Sequence, residues 1–229
     1  MAFIKFQRTI ATETSCVGVG LHTGVESKIT FKPAPENFGI RFKRMDIEGG
    51  VEIRADIDHV VDISRGTTIE ENEVRIHTVE HALAACVGIG LDNVLIELTE
   101  KEPPVMDGSA QPFVCLIESA GVEEFDVPRR IIEILKPVKV ESEGRLAELL
   151  PSNSFSIGFE IEFQDSAVSR QEISITLLNG TFKKEIARAR TFGFLHEIET
   201  LKASGLVLGG TLDNAVVVDG QRILNDGGL

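Results

Sequence analysis

Between Ser154 and Phe163 the chain alternates strictly, with Phe155, Ile157, Phe159, Ile161 and Phe163 on one side of the backbone and serine, glycine or glutamate on the other. Side chains of a β-strand point to opposite faces with period two, so this run predicts a strand whose apolar face needs a second layer over it. No other segment restricts the fold as tightly. Nearby, Val138 to Glu141 and Arg145 to Leu149 flank Gly144 and predict a hairpin. Ser27 to Phe31 also alternates, runs into Lys32-Pro33-Ala34-Pro35, and is expected to pair with Ile40 to Phe42 after Gly39.

Helical signals separate these strands. Thr78 to Gly88 reads as a helix, with Gly88 and Gly90 as stop signals, and Pro112 to Ala120 as a second that ends at Gly121. Val94 to Leu98 reads as a buried strand between them. Val127-Pro128-Arg129-Arg130 reads as a linker. Beyond it, helices are expected at Thr181 to Arg190 and Leu195 to Ser204, a strand at Asn214 to Val218, and a turn at Gly227-Gly228-Leu229. This order predicts an α+β fold of two two-layer α/β sandwich domains, each a sheet with helices on one face. The first spans residues 1–127 and the second residues 131–229, the second incomplete.

Charge and cysteine usage narrow the function classes. The 36 acidic side chains outnumber the 23 basic ones, giving a formal net charge of -13. Such a balance argues against nucleic acid and against an anionic membrane surface, since both favour clustered lysine and arginine. A small anionic substrate is not excluded, because a phosphate needs only a few local donors. Cys16, Cys86 and Cys115 form no Cys-x-x-Cys pair and no disulfide pattern, and Cys86 reads as a small core residue. Lys5 and Arg8 interrupt the apolar N-terminus, so no signal-peptide core is expected. The longest apolar run, Ala82 to Ile89, falls far short of the roughly 20 residues that span a bilayer. No integral membrane segment and a cytoplasmic location are therefore expected. The sequence contains no Trp or Tyr, so a ring stacked on a sugar or base must come from Phe or His.

Among the five histidines, His77-Thr78-Val79-Glu80-His81 stands out. On a helix His77 and His81 share a face at the spacing of two zinc-binding imidazoles, and Glu80 beside them is a candidate general base. Read literally, this is the His-x-x-Glu-His signature of inverzincin proteases. A histidine packed at a helix start beside a solvated glutamate accounts for the same five residues. Gly18-Val19-Gly20-Leu21-His22-Thr23-Gly24 is a loop able to present backbone donors to a phosphate or sugar, or simply a tight turn. Asp107-Gly108 is a turn first. Lys183, Lys184, Arg188 and Arg190 are a solvated helix face before they are a diphosphate site.

The loop Gly18 to Gly24, Thr78-Val79-Glu80-His81, Asp92-Asn93, Pro104 to Ser109, Ala189-Arg190-Thr191-Phe192-Gly193-Phe194 and Leu208-Gly209-Gly210 resemble, in order, landmarks of the UDP-3-O-acyl-N-acetylglucosamine deacetylase family. These are zinc-dependent enzymes of lipid A synthesis. The resemblance implies Zn2+ as cofactor, His81 as a metal ligand, Glu80 as general base and Thr191 as a donor to the tetrahedral oxyanion, and it leaves His77 outside the ligand set. Phe192 and Phe194 match the start of an insert that forms an acyl-chain passage. His22 and Gly210 are expected to face the substrate, an acylated UDP-sugar. A monomer is expected when the protein is whole.

The family pattern also includes a His-Lys-x-x-Asp helix that completes the zinc site, and a further electrostatic histidine. No histidine follows His196 here. An incomplete fragment of a deacetylase, inactive by itself, is therefore the expectation, because a catalytic zinc takes about three protein ligands. Two rivals stand beside it: a non-catalytic module that binds the nucleotide-sugar or acyl chain, and an inverzincin-type zinc protease using His77 and His81.

Overall fold

The computed structural model of the chain describes residues 5–178 and 180–226, so the turn expected at residues 227–229 lies outside the described residues. Strands β1 (Phe6–Ile10), β2 (Thr14–Val19), β3 (Glu26–Pro33), β4 (Ile40–Arg44) and β5 (Val51–Arg54) come first. A small antiparallel sheet follows, formed by β6 (Val60–Asp62), β7 (Thr68–Glu71) and β8 (Val74–Ile76). Next come α1 (Glu80–Ile89), β9 (Val94–Leu98), α2 (Gln111–Ala120) and β10 (Val122–Pro128).

The main sheet has the order β2-β3-β9-β4-β5. The expected partnership of Ser27–Phe31 with Ile40–Phe42 is therefore corrected. β9 lies between them, antiparallel to β3 and parallel to β4. Its alternation fits that central place, with Val94, Ile96 and Leu98 fully buried on one face. The helices supply the covering layer. Ala82, Ala85 and Cys86 of α1 and Phe113, Val114 and Ile117 of α2 join Ile29, Phe31, Phe42 and Ile96 in one core. Phe113 meets Phe31 with ring centroids 6.0 Å apart. Small side chains on α1 let α2 approach, and Gly90 ends α1 in the left-handed region at φ 85°.

The segment read as a linker is in part a strand end. β10 runs through Pro128 and pairs with β1, and Arg129 is anchored by its N–H to the Lys5 carbonyl and by Nε to Asp92 Oδ1 at 2.6 Å. After it, β11 (Val138–Ser142) and β12 (Arg145–Leu149) form the expected hairpin. β13 (Ser156–Phe163) pairs with β14 (Ser169–Thr176). Instead of a helix over Thr181 to Arg190 there is one π-helical turn, Phe182–Ile186. β15 (Phe192–Phe194), α3 (Leu195–Ala203), β16 (Val216–Asp219) and β17 (Arg222–Ile223) follow, with β15 parallel to β16.

The fold is thus α+β, and its two halves bury their apolar residues very unequally. Phe182 and Ala187 reach into the main core, whereas Phe155 and Phe159 stay 58% and 62% exposed. Among the described residues no helix is long and apolar enough to cross a membrane.

Candidate active site

The site is built where α1 begins. Glu80 is the first helical residue and Val79 the N-cap, so the helix starts two residues later than its composition suggests. The cause is Thr78, which sits at φ 55°. A β-branched side chain in the left-handed region costs on the order of 1–3 kcal/mol, and it persists only where surroundings compensate. Here the Thr78 hydroxyl donates to Glu102 Oε1 at 2.9 Å. His77 is consequently off the helix, and the shared helical face expected for His77 and His81 does not form. The His77 ring instead meets the Thr68 hydroxyl at 3.0 Å, and burial holds its pKa below the ordinary histidine range.

Glu80 and His81 differ in how they are held. The Thr67 N–H donates to Glu80 Oε2 at 2.9 Å, which fixes one carboxylate oxygen from across the β6–β7 connection. Burial lowers the His81 pKa below its ordinary value, against the opposing pull of Glu80 and then Asp107. Desolvation favours the neutral imidazole, the form with a lone pair to offer a metal. Asp107 belongs to a strained turn, between Met106 at φ 55° and Gly108 at φ 86°, and its Oδ1 accepts from the Ser109 N–H and hydroxyl.

That turn joins the two halves. The Gly108 carbonyl accepts from the Thr191 N–H at 2.8 Å, and a Cβ at Gly108 would overlap the Asn214 carbonyl. Only glycine fits there. Asp107 thus acts on His81 while its neighbour touches Thr191, so the three residues surround one loop. Phe192 and Phe194 follow Thr191 on β15, and with Phe163 at the end of β13 they form a half-buried aromatic cluster with centroids 5.2 to 5.9 Å apart.

The glycine loop performs a different task from presenting donors to an outside anion. The His22 and Thr23 N–H groups both donate to Glu102, at 3.0 and 2.8 Å. The His22 ring is also committed: Val207 N–H donates to Nδ1 at 3.3 Å, so Nε2 carries the proton and donates to the Arg65 carbonyl at 3.0 Å. Gly210 closes a turn onto the Val207 carbonyl, beside Leu208 and Gly209, whose N–H groups donate to the His22 and Leu21 carbonyls. Both expected substrate contacts, His22 and Gly210, therefore stand in one interlocked pair of loops. Arg65 reaches onward with a bidentate ion pair to Glu197 in the first turn of α3.

Of the basic set, Lys183 pairs with Glu118, and Arg190 donates to the carbonyls of Asp107, Leu212 and Asp213. Two participants were not foreseen. Arg65 carries no local signal, and Glu102, in Lys101-Glu102-Pro103-Pro104, looks like a surface charge although its side chain is fully buried. Among the described residues, no group of three His, Cys, Asp or Glu side chains is placed to hold a metal ion.

Around the Asp107-Gly108 turn this α+β scaffold places an imidazole of lowered pKa, two carboxylates and a threonine, residue types that hydrolases use. The profile of the family described as UDP-3-O-acyl N-acetylglycosamine deacetylase matches residues 7–229. The chain belongs to that family. It is 47% identical over 225 residues to the UDP-3-O-acyl-N-acetylglucosamine deacetylase of Acidithiobacillus ferrooxidans, covering 97% of this chain and 74% of the relative. The enzymes of the same name from Teredinibacter turnerae and Idiomarina loihiensis are 46% and 48% identical, with the same shares covered.

Proposed function

We propose that this chain carries the Glu80–His81 part of a zinc-dependent deacetylase, which hydrolyses the N-acetyl amide of a UDP-3-O-(3-hydroxyacyl)-N-acetylglucosamine and releases acetate in cytoplasmic lipid A synthesis. The observation that carries this reading is Glu80 Oε2 anchored by the Thr67 N–H next to a half-buried His81 whose pKa desolvation lowers, in a chain matched to the deacetylase family over residues 7–229.

The donor set fits one arm of a zinc site. His81 would supply an imidazole nitrogen, and further donors are needed from outside the described residues. When bound, the metal would polarise the amide carbonyl and lower the pKa of an attacking water. The chain's own residues do the rest. With Oε2 held by Thr67, Glu80 has Oε1 to take a proton from water. The Thr191 hydroxyl donates to the oxygen on which negative charge develops. Phe192, Phe194 and Phe163 give an apolar surface for an acyl chain.

The experiment is a chimera in which this chain replaces the matching region of the Acidithiobacillus ferrooxidans relative. Acetate release from the acylated UDP-sugar is expected. Glu80→Gln should then lower kcat by about 10²–10⁴, the usual worth of a general base, with zinc content unchanged. A second reading is a non-catalytic binding module, since among the described residues His81 is not joined by two further donors. Such a module would bind the acylated UDP-sugar in the chimera and release no acetate.

A further inference from the structure

Glu102 has no part in the chemistry just described, yet it is the most completely buried charged side chain of the site, at 0% exposure. A buried carboxylate is costly unless hydrogen bonds replace its lost water. Among the described residues, each hydrogen-bond partner of Glu102 is a donor: the His22 N–H to both oxygens, the Thr23 N–H to Oε2, and the Thr78 hydroxyl to Oε1. Two consecutive backbone donors and one hydroxyl thus converge on one group. The approach is tight enough that a Cβ at Gly20 would lie 2.5 Å from Oε2. The glycine there keeps the loop close to the carboxylate.

The donors come from two segments that never pair as strands. One carries His22, whose ring reaches Arg65 and Val207. The other is the left-handed turn at Thr78, two residues before Glu80. Both segments converge again at Gly66, where a Cβ would lie 3.4 Å from Glu80 Oε1, 3.5 Å from Thr78 Oγ1 and 3.6 Å from His22 Nε2. We propose that Glu102 is a positioning residue: its buried carboxylate clamps the His22 loop to the Thr78 turn and so sets the Glu80 carboxylate and the His22 imidazole relative to each other. The inference rests on the reading of Glu80 as the reacting carboxylate for its importance, but the clamp itself is testable without substrate or metal.

The test uses the ¹⁵N-labelled full chain with Glu102→Gln, which keeps the size of the side chain but turns one acceptor into a donor facing donors. Amide exchange at His22, Thr23 and Thr67 should quicken at least about tenfold, and the imidazole nitrogen signals of His22 should move away from a single Nε2–H tautomer. The Phe31 and Ile96 amides, in the β3–β9 ladder, should stay within about twofold. Glu102→Asp, which retains a carboxylate, should restore part of the protection. Thr78→Val, which removes one arm of the clamp only, should loosen Thr67 more than Thr23. Uniform loss of protection, including Phe31 and Ile96, would reduce Glu102 to a general stability residue and overturn the proposal. Unchanged His22 and Thr67 signals in folded Glu102→Gln would do the same. Failure of the deacetylase reading is seen separately, as a chimera that releases no acetate.

Discussion

The Thr67 N–H donates to Glu80 Oε2 at 2.9 Å, joining the residue that enters β7 to the residue that opens α1. One carboxylate oxygen is thereby held from outside the helix. A hydrogen bond to a charged group contributes about 1.5–3 kcal/mol, and a change of 1.4 kcal/mol is about tenfold in an equilibrium. Glu80→Ala should therefore speed Thr67 amide exchange by about tenfold or more. Glu80→Gln, which still offers an oxygen, should leave it nearly as slow. Hydrogen exchange followed by NMR reads both, and equal acceleration in the two variants would mean that shape rather than the acceptor holds the loop.

The two histidines of the His-x-x-Glu-His run should separate cleanly in metal binding. His77 lies before the helix with its ring on Thr68, whereas His81 is helical and its pKa is lowered by desolvation. In the chimera, His81→Ala should remove stoichiometric zinc and His77→Ala should retain it, by metal analysis after gel filtration. The 229-residue chain by itself should hold zinc only weakly, because a catalytic site takes about three protein ligands. Equal loss in the two variants would restore the protease-like pairing.

Local patterns made much of this legible. The strict alternation of Phe155 to Phe163, the hairpin about Gly144 and the glycine stops Gly90 of α1 and Gly121 of α2 are properties of neighbouring residues, and each became the expected element. Gly88, also expected as a stop, lies inside α1 because Gly90 two residues on takes the left-handed C-cap. Long-range pairing was not legible. Nothing in Ser27–Phe31 or Ile40–Phe42 shows that β9 will slide between them. The polar β14, Ser169–Thr176, has weak strand signal and gains its place only through its partner β13. In the site, Glu80 and His81 stood out by residue type and spacing, and Thr191 only through the family resemblance. Glu102 did not, because its burial depends on a glycine loop some 80 residues earlier folding over it.

Beyond residue 130 the surface should govern solution behaviour. Ile131, Ile132 and Leu135 are more than 80% exposed, and Phe155 and Phe159 add exposed aromatic surface. Apolar surface of this extent drives association. The purified polypeptide should self-associate as concentration rises, seen by sedimentation velocity. Phe155→Ser with Phe159→Ser should shift the distribution toward monomer without lowering the melting temperature, since neither ring is buried. A clean wild-type monomer at all concentrations would show that this surface is tolerated in water.

His59 gives the chain a pH dependence away from the site. Its Nδ1 meets Asp56 and its Nε2 meets Glu71, and Arg54 lies beside Asp56. The hydrogen bond and charge of Asp56, then of Glu71, raise the His59 pKa above 6.5, and His59 lowers that of Asp56 below 3.8. A raised histidine stabilises fully below its unfolded pKa and loses that contribution as pH rises through the folded one. The depressed aspartate contributes above its unfolded pKa and loses it as pH falls. The cluster is therefore strongest between roughly pH 4 and 6.5. Partial exposure limits its worth to at most about 1 kcal/mol, or about 2–4 °C in Tm. Between pH 6 and 9 wild type should lose about that much more than His59→Asn, by differential scanning calorimetry.

Gly88 and Phe182 provide the sharpest packing test, because one contact seats the π-turn of the second half on α1. A Cβ at Gly88 would lie inside the Phe182 ring, 2.5 Å from Cε1, and Phe182 is only 9% exposed. Gly88→Ala must therefore displace the ring, a form of overpacking that costs about 1–3 kcal/mol. At about 2–4 °C for each kcal/mol in a chain of this size, the Tm should fall by about 2–12 °C. Phe182→Ala alone should also destabilise, through the cavity it leaves above α1. In that background the collision is gone, and Gly88→Ala should become neutral or stabilising, since alanine is favoured over glycine inside a helix by up to about 1 kcal/mol. The sign of one substitution thus reverses with the identity of a single partner, a coupling that a double-mutant cycle by urea denaturation reads directly. If Gly88→Ala costs the same with and without the Phe182 ring, the destabilisation comes from the α1 backbone, and the seating of the second half on Gly88 is wrong.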